Sequence, residues 1–169
     1  MKTVWPVFEV FEGAESDIPK GYHRIRCHII QDIKLGENFR RKAQYVAGGH
    51  TTNTPSSLTY SSVVSRYSVR IALKVSALND LDIPACDIKG DYLTSECRER
   101  IYTISGAEFG REEGVIMIVN MDLYGLKSSG AAFRAKLSRV LYGLNYQTTK
   151  DDPDVWLRAG TKTDDTEYC

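Results

Sequence analysis

"GVIMIVNMDLYGLKSSGAAFRAKLSRVLYGLNY", residues 114–146, changes its period part-way along. Its first third is the most apolar run in the chain and reads as a β-strand. After the polar "KSSG", Phe133, Leu137, Val140, Leu141 and Leu144 fall on one face of a helix. Asn145 can take the left-handed conformation that stops it. A strand running into a helix calls for a mixed architecture, and the flanking segments extend it in both directions.

Upstream, "ERIYTIS" reads as another strand, joined to the first by the polar "GAEFGREE". From Tyr22 to Ile33, Arg24, Arg26 and His28 alternate with Ile25, Cys27 and Ile29, the period-two pattern of a half-buried strand. A polar turn at "KLGEN" and the extended run "FRRKAQYVA" complete a hairpin over 22–47, punctuated by Gly48 and Gly49. The Ser- and Thr-rich "TTNTPSSLTYSS" is a loop. "SRYSVRIALKVSALND" spaces Val69, Ala72, Val75, Ala77 and Leu78 as an amphipathic helix, with Ser near its start and Asn79 near its stop. Leu81–Ile88 has the length and apolar content of a core strand, continued across Gly90 by Tyr92 and Leu93, with a further short strand at Val155–Leu157. The expected class is α+β, with a mainly antiparallel sheet and packed helices in one domain.

The composition narrows the function. A chain of 169 residues can bury a real core. Its 22 Lys plus Arg balance 22 Asp plus Glu, so any attraction to nucleic acid must come from a local patch. Basic residues cluster at Arg40, Arg41 and Lys42, and again at Lys127, Arg134, Lys136 and Arg139. Cys27, Cys86, Cys97 and Cys169 lack metal-ligand spacing and read as reduced structural thiols. His23, His28 and His50 have no carboxylate at zinc-site spacing. No GxSxG elbow is present. With neither a leader-like amino terminus nor a membrane span, the expected setting is intracellular, in the cytoplasm and away from membranes.

One acid stands out. In "IPACDIKGDYL", residues 83–93, Asp87 rises from the end of an apolar run, where it could be an exposed turn residue or a functional carboxylate. Around it, "RRKAQYVAGGH", "SSVVSRYSVRIAL", "ACDIKGDYL", "ERIYTISGAEFG", "DLYGLKSSGAAFRAKL" and "DDPDVWLR" follow one another in the order and spacing of a known family. From about Trp5 to its carboxyl terminus the chain resembles the reverse transcriptase of copia-type LTR retrotransposons.

The resemblance implies an RNA-directed DNA polymerase shaped as a right hand, with fingers at 22–60 and a partial palm and fingers helices at 61–169. It implies Mg²⁺, deoxynucleotides, an RNA or RNA–DNA hybrid template-primer, and the remainder of a polyprotein. Asp87 matches the metal-binding acid of the first palm motif, and the carbonyl of Ile88 matches a further metal ligand. Carboxylates suit that task because hard cations take oxygen ligands, and two ions about 3.5–4 Å apart can stabilise a phosphoryl transfer. Tyr92 matches an aromatic that excludes a ribose 2′-hydroxyl, or is a core aromatic. Tyr124 and Gly125 match a nucleotide and template pocket, although a strand-to-helix turn would also want Gly125. Lys127 is a phosphate contact or a surface lysine. Arg41 and Lys42 fall near the triphosphate-contacting basics of the fingers.

The departures are specific. Gln44 stands where the family usually has arginine. Asp91 stands where it has a small residue; at 4 Å from a like charge a carboxylate costs about 4 kcal/mol at an effective dielectric of 20. The family's second acidic element, an aromatic, any residue and two aspartates on a hairpin, has no match. Asp164 and Asp165 read as a solvated linker pair. A lone Asp87 cannot hold two ions, so the isolated chain is expected to be inactive. The alternative is a non-catalytic nucleic-acid-binding or interaction module that keeps the polymerase fold.

Overall fold

The computed structural model describes residues 7–34, 39–52, 59, 61–161 and 167–168. These form two units, Met1–Tyr60 with Gly90–Phe133, and Ser61–Lys89 with Arg134–Cys169.

The first unit is built on a four-stranded sheet. Its middle strands are β5 (Ile101–Ile104, "IYTI") and β6 (Ile116–Val119, "IMIV"), both rich in the β-branched residues that suit a packed pleat. They pair antiparallel with Tyr102 opposite Ile118. β1 (Phe8–Val10) flanks β6 antiparallel, and β2 (His23–Arg24) flanks β5 in parallel, giving the order β1-β6-β5-β2. Val7, Phe8, Ile25, Ile101, Met117, Val119, Leu123 and Leu126 fill the core with Ala47. Phe8, Tyr45 and Phe109 close one side of it edge to face, with centroids 5.5–6.3 Å apart.

The expected hairpin forms from β3 (Cys27–Lys34) and β4 (Arg40–Ala47), in register from Cys27 opposite Ala47 to Lys34 opposite Arg40. The Tyr22–Ile33 run is not one strand, however. Ile25 still donates its N–H to the Tyr102 carbonyl oxygen at 2.9 Å, after which the chain leaves the sheet to pair with β4. Burial follows that change of partner: Ile25 is in the core, whereas Ile29, Ile30 and Ile33 on the projecting hairpin are exposed.

In the second unit, α1 (Arg66–Leu78) starts where expected, because the Ser65 hydroxyl accepts the N–H of Ser68 at 3.0 Å, an N-cap. Its apolar stripe lies open: Val69, Val75 and Leu78 are all exposed. α2 (Ser129–Gly143), whose first residues belong to the first unit, ends at the left-handed Asn145, with φ 65°, as its sequence indicates. β7 (Gln147–Thr148) and β8 (Trp156–Leu157) then pair antiparallel, Trp156 meeting the Tyr142 ring at 4.9 Å. β9 (Gly160–Thr161) pairs with β10 (Glu167–Tyr168).

The expected strand at Leu81–Ile88 is absent. This segment is irregular and exposed from Asp82 to Lys89, since no described strand pairs with it and an unpaired strand leaves its backbone groups to water. Tyr92 and Leu93 do not prolong it either. Gly90, at φ +66°, turns the chain into a single 3₁₀ turn at Tyr92–Thr94. The class is nonetheless α+β with mainly antiparallel pairing, β2–β5 being parallel. No described helix is long and apolar enough to cross a membrane. Asp164 and Asp165 lie outside the described residues, as does Cys169; Cys27, Cys86 and Cys97 are free thiols.

Candidate functional site

Tyr92 and Tyr124 come together in the first unit, 4.9 Å between ring centroids and tilted by 45°. Phe133 stands edge-on to Tyr92, 6.1 Å between ring centroids. The Tyr124 hydroxyl donates to Asp91 Oδ1 at 2.6 Å, so the acid that precedes Tyr92 holds the ring that Tyr92 packs against. Aromatic faces beside a charge-assisted hydrogen bond make a rigid surface suited to a flat or ring-shaped ligand.

The backbone behind this surface is fixed by two close approaches. The Tyr124 carbonyl accepts the Ala47 N–H at 2.7 Å, and Val46 bridges Tyr124 as a parallel neighbour, so the base of β4 is tied to this turn. Gly125 follows at φ +92°, and a methyl group on it would run into the Ala47 carbonyl oxygen. Gly49 approaches the Gly125 carbonyl just as closely. Lys127 Nζ donates to the Thr52 carbonyl at 2.6 Å, and the Thr52 hydroxyl donates to the Gly49 carbonyl at 2.8 Å. Lys127 is therefore a strut between this turn and the loop after β4, with donors to spare for a further acceptor.

The remaining sequence candidates stand elsewhere. Arg41 and Lys42 are exposed on β4, opposite Ile33 and Asp32, and neighbouring strand positions point to opposite faces. Arg41 precedes Ala47 by six positions, roughly 20 Å along a strand, so the hairpin's basic end is not beside the tyrosines. Asp87 and Ile88 are exposed in the irregular segment of the second unit. No group of three or more His, Cys, Asp or Glu side chains suited to a metal ion occurs among the described residues. These residues do not by themselves make a magnesium site.

Sequence reading passed over Asp122. It is fully buried, and among the described residues neither of its carboxylate oxygens has a hydrogen-bond partner. Burial pushes its pKa up to about 6, and the nearby Glu99 charge acts in the same direction. The Cys97 thiol, the Ser129 hydroxyl and Arg98 ease the charge, yet the thiol donates to the Glu99 carbonyl at 3.5 Å and the hydroxyl to the Leu123 carbonyl at 2.8 Å. Burial likewise pushes the Cys97 thiol up to about 12. The available signal was an acid set inside the most apolar run of the chain.

A model of the reverse transcriptase (RNA-dependent DNA polymerase) family matches residues 10–163. The chain belongs to that family. It is 26% identical over 149 residues to the Retrovirus-related Pol polyprotein from transposon TNT 1-94 of Nicotiana tabacum, covering 84% of this chain and 11% of that protein. The copia-type resemblance read from the motifs holds. No solved structure matches the chain significantly. The matched region includes every site residue discussed above. The family generally uses a divalent metal, for which the described residues supply no assembled site.

Proposed function

We propose that this chain is the fingers and partial palm of a copia-type RNA-directed DNA polymerase, with fingers at 22–60 and palm elements within 61–169. It engages an RNA or RNA–DNA hybrid template-primer and presents a deoxynucleotide to Tyr92 and Tyr124. The observation that carries this reading is the Tyr92–Tyr124 pair seated on the Gly125 turn, because the two motifs that the family uses around a nucleotide meet there. Tyr92 presents a ring to the sugar, Tyr124 backs it, and Gly125 lets a template or nucleotide approach the main chain closely. Arg41 and Lys42 contribute positive charge on the hairpin. Asp87, with the Ile88 carbonyl, is the chain's contribution to the family's Mg²⁺ centre. The other acids come from the rest of a cytoplasmic polyprotein, so the chain alone binds without polymerising.

Binding tests this directly. Fluorescence anisotropy with a labelled RNA–DNA hybrid should show a complex that tightens when the matching deoxynucleotide is added. Tyr92→Ala should abolish the tightening while leaving hybrid binding in place. Tightening that survives in both Tyr92→Ala and Tyr124→Ala would remove the tyrosines from the nucleotide site.

The exposure of Asp87 on an unpaired segment favours a second reading, a nucleic-acid-binding module without chemistry. Hybrid binding would then fall with salt, by about 0.9 in the logarithmic slope per phosphate contacted on a duplex, and neutralising Arg40, Arg41 and Lys42 would flatten that slope. Deoxynucleotide would have no effect.

A further inference from the structure

Asp91 stands where the family has a small residue, at a position where a carboxylate invites like-charge repulsion. Its surroundings give it another task. Oδ1 is engaged by the Tyr124 hydroxyl at 2.6 Å, which places part of its charge on a phenol. Its main-chain carbonyl accepts the Thr94 hydroxyl at 2.6 Å and the Thr94 N–H at 3.2 Å, closing the single turn that carries Tyr92. Tyr124, for its part, is anchored at the main chain by the Ala47 N–H and at its tip by Asp91. One residue thus ties the Tyr92 turn to a ring whose backbone is already hydrogen-bonded to β4.

We infer that Asp91 is a positioning residue for nucleotide selection: by holding the Tyr124 phenol it fixes the angle at which Tyr92 meets the sugar, and so sets the preference for deoxyribose over ribose. This rests on the nucleotide-site reading above. Selection against a single hydroxyl depends on a surface that does not yield. A Tyr92 ring free to rock away from Tyr124 would admit the extra oxygen. The carboxylate itself does not touch the nucleotide.

Three variants of the 169-residue chain separate this role from simple support. Asp91→Ala and Tyr124→Phe break the contact from opposite ends, and Asp91→Asn keeps an oxygen that can accept from the phenol. Two measurements apply to each: nuclear Overhauser contacts between the Tyr92 and Tyr124 rings in the free protein, and the affinity ratio for dATP over ATP on a poly(rU)–oligo(dA) hybrid. Asp91→Ala and Tyr124→Phe should weaken the ring contacts and lower the ratio by about threefold or more, with dATP affinity changing less than ATP affinity. Asp91→Asn should restore most of both. Unchanged ring contacts in Asp91→Ala and Tyr124→Phe would overturn the inference. Loosened rings with an unchanged ratio would overturn the selection role. A wild-type chain that binds neither nucleotide, or both equally, would instead bring down the nucleotide-site reading and the selection role with it.

Discussion

The Asp152 carboxylate accepts the Ser68 hydroxyl at 2.5 Å, 84 residues away along the chain, and the Ser65 N–H at 2.9 Å through the same oxygen. It thereby reinforces the N-cap of α1 from outside the helix, where unsatisfied N–H groups favour a negative charge. These hydrogen bonds, that to Ser68 foremost, hold the Asp152 carboxyl down to about 2, below its ordinary 3.8. A depressed folded-state pKa means the contribution is complete above the unfolded value and is lost as pH falls from about 4 toward 2. Asp152→Ala should speed amide exchange in the first turn of α1 at neutral pH and remove this part of the acid transition. Exchange rates equal to wild type would show that the contact does not hold the helix.

Asp122 has the opposite sign. Its folded-state pKa of about 6 lies above the ordinary 3.8, so between these values the folded protein binds more protons than the unfolded one. Stability should therefore fall as pH rises from about 4 to 6 and level off above that. The shift corresponds to a loss of about 3 kcal/mol, by the rule that one pKa unit is worth 1.36 kcal/mol. Asp122→Asn should abolish this slope and raise the urea midpoint at pH 7. A variant that is less stable at pH 7 and keeps the slope would assign the titration to another group.

Gly125 should resist substitution. Gly125→Ala adds a left-handed penalty to a collision with the Ala47 carbonyl, and should cost about 2 kcal/mol or more. Beyond lowering the urea midpoint, it should expose the Ala47 amide, which bonds to the Tyr124 carbonyl, to faster exchange. An unchanged midpoint would mean that the turn and β4 can move apart freely.

What the sequence disclosed was local. The stop of α2, the serine cap of α1 and the presence of the β3–β4 hairpin follow from periodicity and end chemistry within a few residues, whereas the apolar face of α2 is only part covered, Val140 and Leu144 being exposed. Pairing was less legible. Leu81–Ile88 has strand composition, but a strand exists only with a partner, and none of the described strands supplies one. β1 is three residues long, too short for alternation to register. Among the site residues, the order of motifs pointed to Tyr92, Tyr124 and Gly125, whereas the Asp91–Tyr124 bond joins residues 33 positions apart and exists only in the folded chain. Asp122 is set apart by its burial, which only the packing around β6 creates.

Primer extension by the chain joined to the rest of a copia-type palm tests the polymerase reading most directly. The joined protein should extend a DNA primer on an RNA template, and Asp87→Asn should reduce extension by about a thousandfold without weakening hybrid binding. Extension by Asp87→Asn at the unsubstituted rate would contradict the assignment of this carboxylate to the catalytic centre.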